Sequence, residues 1–597
     1  MPHSAATVPA HLRRFVVQQD YSQYTAADQA VWRFVLLQMR ARLVDDAHPA
    51  YREGLAATGI STERIPSIDE MNDKLARFGW SAVCVDGFIP PRAFQEFQAS
   101  AILPIAADVR SRAHLAYTPA PDILHEAAGH APILPDPVFA SYLRRIGELG
   151  RTAFTLPAED RVFRAIYALS EVKENPAASV DEVNLAQAEL RQALAGASEP
   201  SEAALLSRLY WWTAEYGLVG RPVEYKLYGA GLLSSLGESH SCHDPSVRKL
   251  VLDERCVDVP YDITQPQPQL FVAPSFDALH DVLDRVARKL SLQAGGEVAL
   301  GRALRSGEVA SVRFSSGASV IGVLREVGGG LSAPSFLRFE GRVAFAWDGR
   351  ILPGLRPLSG LAEHCVVAGR LHDGTPLELA SDATLAARLD ASSGKHRFRF
   401  DRGAAVEGRV LRCIHHPDGR LMVIELGDAR LTLPGTAPRD VPHYALLATG
   451  DALTAHAGAV DATYHADTPF SLVRVPRRRD LPAGERAVLD LYERAQGAFR
   501  AGPRAMADAF SRVHALLERD HPREWLLRWN MLESLLKVMP ADALVPVLRG
   551  DLERIELALD GRQPVASGLR YLHDVYPPPS LAVDPASGAP LTVTTHA

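Results

Sequence analysis

Apolar positions recur at helical spacing through the first half of the chain. Val31, Phe34 and Val35 lie three and four apart behind Thr25-Ala-Ala-Asp28, a capping-box pattern with Asp in place of the usual Glu. Prolines and glycines break the pattern often, at Pro66, Pro90-Pro91, Pro104, Pro119 and Pro121. The spacing of Leu279, Val282, Leu283 and Val286 predicts a helix from Phe276 to Leu292, which Gly295-Gly296 ends. From about residue 300 the pattern changes to alternation, in VRFSSGASVIGVL, FEGRVAFAWDG, GRLHDGTPLELA and GRVLRCIHHPDGRLMVIEL. Asp373-Gly374 and Asp418-Gly419 read as hairpin turns, and the two segments around them look like one hairpin unit used twice. VPRRRDLP (475–482) reads as a linker. Helical spacing then returns, with Val488, Leu491, Tyr492, Ala495 and Phe499 on one face and Trp525, Trp529, Leu532 and Leu536 on another. The tail after Tyr576, beginning with Pro577-Pro578-Pro579, is expected to be disordered. The expected architecture is a mainly α first domain (1–295), a β-rich domain (300–478) and a helical C-terminal region (479–597).

Composition narrows the class. A chain of 597 residues suggests about three or four domains. The net charge of −7 argues against nucleic acid as a partner. The five cysteines contain no C-x-x-C pair, which predicts a reducing compartment without structural disulfides. The N-terminus lacks the apolar segment of a secretory signal, and no run approaches the ~20 apolar residues of a spanning helix. The expectation is a cytoplasmic protein with neither membrane nor nucleic acid as a partner.

Two segments are candidates for chemistry. In PDILHEAAGHAPILPDP (121–137), His125 and His130 stand five apart, Glu126 follows the first, and Asp122 is placed to cap a helix. A zinc-protease H-E-x-x-H puts its histidines four apart on one face. Five apart, they stand about 140° around an ideal helix, so they converge on one ion only over its flank or where the turn loosens near Gly129. Taken alone, two such histidines are often surface or satisfied core residues. In LYWWTAEYGLV (209–219), Glu215 is centred on an apolar face, with Trp211 and Trp212 before it and Leu218 and Val219 after it at helical spacing. A carboxylate buried there needs a cation, a proton or a metal. Arg208 would satisfy it as an ion pair. A metal shared with the two histidines would also do so. Two imidazoles and one carboxylate suit non-haem Fe(II) with positions open for O2. They also suit zinc with a bound water, the arrangement of a hydrolase. The aromatic surroundings favour the oxygenase.

YTPAPDILHEAAGHAPILPDPVFASY (117–142), LYWWTAEYGLV and YGAGLLSSLGES (228–239) occur in that order. With DYSQYTAADQAVWRFVL near the start and TQPQPQLFVAPSFDAL near residue 270, they closely resemble the pterin-dependent aromatic amino acid hydroxylases over residues ~15–290. The resemblance implies that His125, His130 and Glu215 hold iron and that Arg110 clamps the substrate carboxylate. It implies that Thr118 and Ser234 are polar pocket residues, Ser234 also orienting a ligand histidine, and that Trp211 forms a pocket wall. Phe94 is expected to stack on the pterin, Ile89 to lie in the pterin loop and Glu126 to face the pterin and its waters. Gly231 and Glu238 are expected to shape the pocket. Pro91 replaces a serine of the animal enzymes, so that serine's hydrogen bond to the pterin is not expected. Regulation of the animal type is not expected either.

Trp211 matches the phenylalanine and tyrosine hydroxylases, and Ile263 stands where tyrosine hydroxylases have aspartate. Leaving a phenol unpaired there costs roughly 1–3 kcal/mol. The implied activity is hydroxylation of L-phenylalanine to L-tyrosine with Fe(II), O2 and tetrahydrobiopterin or a related tetrahydropterin. Tryptophan or tyrosine hydroxylation is the alternative, and a His2Glu zinc hydrolase a remote one. Glu238-Ser-His240-Ser-Cys242-His243 reads as loop residues rather than a second metal site. The C-terminal half carries no catalytic motif. Two readings of it stay open: an assembly or regulatory module whose helices 485–560 form a homo-oligomer interface, or a binding module whose β-rich part docks a partner or small ligand.

Overall fold

The structure is a computed structural model. It describes residues 8–577 apart from 88, 117–120, 175–177, 198, 264–265, 353–354, 356–362, 461–463, 465–482 and 560–563, together with two short strands at Ala582–Val583 and Pro590–Leu591. Thr118 and the 475–482 linker therefore lie outside the described residues, as does most of the tail.

The first helix, Ala26–Asp46, opens on the capping box read from the sequence: Thr25 and Asp28 each accept from the other's backbone N–H. Helices then dominate as far as Ala294, with two small sheets set among them. Strands Ser81–Val85 and Ile102–Ala106 pair in parallel, and the helix Pro91–Ala99 connects them. A four-stranded sheet carries Leu218–Arg221 between Glu224–Leu227 and Gln269–Ala273. The predicted helix from Phe276 stops at Ala287, with Leu279, Val282, Leu283 and Val286 all buried.

Antiparallel strands run from Val309 to Ala457 in a six-stranded and a five-stranded sheet, around a core that includes Phe339, Phe345, Phe398 and Val423. Strands Ala405–His415 and Leu421–Thr432 form the hairpin expected around Asp418-Gly419. The Asp373-Gly374 segment does not repeat it. Leu371 N donates to Thr375 O across a tight turn, and Leu377–Leu379 is a 3-10 turn. Buried Leu377 anchors that turn, so the second strand of a hairpin never forms.

After the β region the chain returns to the first core. Phe34 packs edge-on against Trp525 and Trp529, at centroid distances of 5.0 and 4.7 Å. Arg33 bonds Glu533 at 2.7 Å, and Glu493 accepts from Ala26 N at the start of the first helix. The faces of Ala483–Ala501 and Trp525–Val538, read as a contact with a second copy, are buried in one core with the chain's own helix Ala26–Asp46. Phe499 departs from the expected face and is 37% exposed; Ala498 is buried instead. Among the described residues no helix is long and apolar enough to cross a membrane.

Candidate active site

The two histidines belong to one widened turn. Leu124–His130 is a π-helix, a form found mostly as single turns within helices and often at functional sites. The wider turn brings side chains five apart to the same side, which an ideal α-helix cannot do. Asp122 Oδ1 accepts from His125 N at 3.0 Å at its start. Gly129 lets the helix Ala230–Ser234 approach, since a Cβ there would stand 2.8 Å from Ala230 O. Glu215 ends a second π-turn, Trp211–Glu215. The helical register assumed beyond it does not continue: Leu218 and Val219 lie on the next strand.

His125 Nε2, His130 Nε2 and the Glu215 carboxylate converge. The separations are 3.3 Å between the imidazoles, 3.2 Å from His125 to Oε2 and 3.1 Å from His130 to Oε1. Arg208, the alternative partner of Glu215, donates instead to Val257 O. Burial alone would raise the Glu215 carboxyl, but the two imidazoles outweigh it and hold the group below the usual range. His125 Nδ1 is 2.9 Å from Ser234 Oγ, which donates to Ala230 O at 2.7 Å. Glu126 is 4% exposed, and its Oε2 makes no hydrogen bond but lies 3.9 Å from His130 Nε2. Burial pushes its carboxyl up to about 8, more than His130 lowers it.

His125, Glu126, Glu215 and Ser234 line a cavity of about 210 Å³ shared with Ile89, Phe94, Arg110, Trp211, Gly231 and Ile263. Arg110 is fully buried. It bonds both Asp122 oxygens at 2.9 Å and Ser234 O at 3.1 Å. Phe94 lies 6.2 Å from the His130 ring. Gly231 is a packing requirement, because a Cβ there would come within 2.8 Å of the Tyr216 ring. Glu238 is buried outside this lining.

Several residues at or next to the cavity were not singled out from the sequence. Tyr261 stacks flat on Trp211 at 4.2 Å and 9°. Gln267 accepts from Trp211 Nε1 at 3.2 Å. Tyr210 stacks over His130, held by Gln98 through its hydroxyl. Tyr210 was within reach, at five before Glu215, the same spacing as the histidines. Tyr261 and Gln267 carry no such local signal.

The Glu238–His243 segment gathers no metal set. His240 bonds Arg42 and His243 lies 3.4 Å from Asp46. His514, Glu518 and Asp551 do come together, but Arg528 and Arg554 pair with the two acids, which makes the group a salt-bridge network.

The family of biopterin-dependent aromatic amino acid hydroxylases matches residues 15–157 and 180–294. The phenylalanine-4-hydroxylase of Ralstonia nicotianae is 32% identical over 45% of this chain and 72% of its own. That of Chromobacterium violaceum is 31% identical over 45% and 76%. A solved structure of Chromobacterium violaceum phenylalanine hydroxylase with bound iron(III) and 7,8-dihydrobiopterin matches at 29% identity, over 46% of this chain and 86% of that one, with a TM-score of 0.36. By its family match and by a relative covered over 72% of its length, this chain belongs to the biopterin-dependent aromatic amino acid hydroxylases.

Proposed function

We propose that the chain hydroxylates the ring of L-phenylalanine to L-tyrosine with Fe(II), O2 and a tetrahydropterin. The observation that carries this reading is the meeting of His125, His130 and Glu215 in an aromatic cavity. Donor atoms about 2.1 Å from a shared ion stand roughly 3.0–3.4 Å apart across octahedral to tetrahedral angles. The observed 3.1–3.3 Å fits. Iron held there would activate O2 together with the reduced pterin. Family membership sets the zinc hydrolase aside.

The chain's own groups do the positioning. Ser234 Oγ accepts a hydrogen bond from the Nδ1–H of His125 and donates its own to Ala230 O, which fixes the ring with Nε2 as the ligand atom. Arg110 uses three of its N–H groups on Asp122 and Ser234; two remain for the α-carboxylate of an amino acid. The Trp211–Tyr261 stack makes a flat wall for the substrate ring, with the indole N–H already satisfied by Gln267. Phe94 offers a face to the pterin beside Ile89 and Glu126. Ile263 lines the cavity with a side chain that cannot hydrogen-bond, which favours phenylalanine over tyrosine. On this reading residues 1–295 form the catalytic unit, the helices after 479 complete its core, and residues 300–478 are an appended module.

The test is turnover by the full chain with Fe(II), tetrahydrobiopterin and phenylalanine, tryptophan or tyrosine in parallel. Tyrosine formed from phenylalanine with the highest kcat/KM is expected. Preference for tryptophan would overturn the substrate assignment. No turnover of any of the three would overturn the reaction.

A further inference from the structure

The C-terminal helices grip the segment that carries Arg110. Arg112 stands on a single 3-10 turn, Arg112–His114, two residues beyond Arg110 and just before the run that leads to Asp122 and His125. Its guanidinium bonds Glu485, in the first turn of helix Ala483–Ala501, and Glu524, the N-cap residue of helix Trp525–Val538. It also lies over the Tyr492 ring at 5.6 Å, and the Tyr492 hydroxyl donates to Glu524 at 2.7 Å. The Arg112 side chain is 19% exposed, so two carboxylates and an aromatic ring enclose it.

The inner side of the same segment is tied to the cavity. Arg110 N and its guanidinium both bond Asp122, and Asp122 also accepts from His125 N. Ala116 O accepts from Ser235 Oγ and Gly237 N. Residues 110–116 thus span from the cavity wall to the C-terminal helices, with Arg112 as the outer fixing point. None of Glu485, Tyr492 and Glu524 falls within the part of the chain that the family matches.

We propose that Arg112 is a positioning residue, held by Glu485, Tyr492 and Glu524, through which the C-terminal helices set the aim of Arg110 and hence the affinity for the amino acid. This rests on the reading of Arg110 as the carboxylate clamp. The pterin side of the cavity, at Phe94 and Ile89, is carried by the helix Pro91–Ala99 and the loop before it, whereas Arg112 bonds Glu485 and Glu524 and lies over Tyr492. A loss at Arg112 therefore falls on amino acid binding and leaves pterin binding and iron loading in place.

The experiment compares Arg112→Gln, Arg112→Lys, Glu485→Gln/Glu524→Gln and the combination of all three Gln substitutions in the full iron-loaded chain. The readouts are KM for phenylalanine, KM for tetrahydrobiopterin, kcat, Tm, and phenylalanine Kd by calorimetry without pterin. Expected for Arg112→Gln is a rise of roughly tenfold in phenylalanine KM and Kd, within the range usual for coupled sites. Pterin KM and kcat should change less than about twofold, since the lost term belongs to ground-state binding. Arg112→Lys should recover part of the loss, because it keeps the charge without the two-pronged fork. The triple variant should bind no more weakly than Arg112→Gln alone, as one interaction is removed from both sides. An unchanged phenylalanine Kd in Arg112→Gln, or a parallel loss in both KM values with a fallen Tm, overturns the inference. If the unaltered chain neither binds nor turns over an aromatic amino acid, the functional reading falls, and the inference with it.

Discussion

Glu215 is the residue on which both imidazoles lean, and its removal takes away the carboxylate that stands 3.2 Å from His125 and 3.1 Å from His130. Glu215→Ala should load less than a tenth of the iron of the unaltered chain and lose turnover by about a thousandfold or more, of the order seen when a reacting group's electrostatic partner is deleted. Its far-ultraviolet circular dichroism should be unchanged. Retained iron with retained turnover would contradict the ligand assignment. Glu238 makes a different point. It is 3% exposed with Oε1 unpartnered, and burial raises its carboxyl to about 7 from 4.5. The folded chain therefore binds that proton more tightly than the unfolded one. Stability falls as pH rises from 4.5 to about 7 and stays lowered above that. Glu238→Gln should raise Tm at pH 8 by a few degrees, against a penalty of up to about 3 kcal/mol, and leave Tm at pH 4 unaltered. Equal Tm values at pH 8 would show that the charge is accommodated.

The π-turns show what can and cannot be read at the scale of an element. The candidate residue types were legible: His125, His130 and Glu215 stand out as a candidate metal set, and the structure brings their donor atoms together. The widening of Leu124–His130 was not, beyond a loosening near Gly129, because a change of hydrogen-bond register leaves little trace in apolar spacing. For the same reason Leu218 and Val219 were placed on a helical face that ends at Glu215. Asp122 was legible as a cap on the His125 backbone but not as the partner of Arg110, twelve residues away, since pairing across a cavity has no period. Asp373-Gly374 and Asp418-Gly419 share a turn signal, yet only the second has a following strand to pair. Gly129 offers a test at this scale. Gly129→Ala puts a methyl 2.8 Å from a backbone carbonyl that cannot rotate away, so the turn and the helix Ala230–Ser234 must part. A loss of roughly 1–3 kcal/mol is expected, with weaker iron retention, since Ser234 would move with that helix. Calorimetry and metal analysis measure the two together, and full iron affinity would mean that the ligand turn is independent of its neighbour.

At the scale of the molecule, amphipathic spacing after residue 483 told which faces would be buried but not what would cover them. The answer is the chain's own first helix. Truncation after Ala294 should therefore not release a well-behaved catalytic fragment. It uncovers Phe34 and removes Trp525 and Trp529, aromatic contacts of a kind worth about 3–5 kcal/mol when a buried ring is lost. The fragment should melt at least ~10 °C below the full chain and elute as aggregates in gel filtration. A monomeric fragment with the full chain's Tm would mean that the C-terminal helices are dispensable for the core.

Arg33 and Glu533, which meet in that shared core, are 500 positions apart in the sequence. A ribosome adding ~5–20 residues each second needs on the order of 25–100 s to travel that distance. Throughout that interval the newly made first helix has its apolar flank uncovered while the two sheets emerge and close on themselves. Synthesis in the cell should thus depend on a chaperone that shelters the nascent N-terminal half. Slowing translation between the two segments should reduce the yield of soluble enzyme rather than improve it.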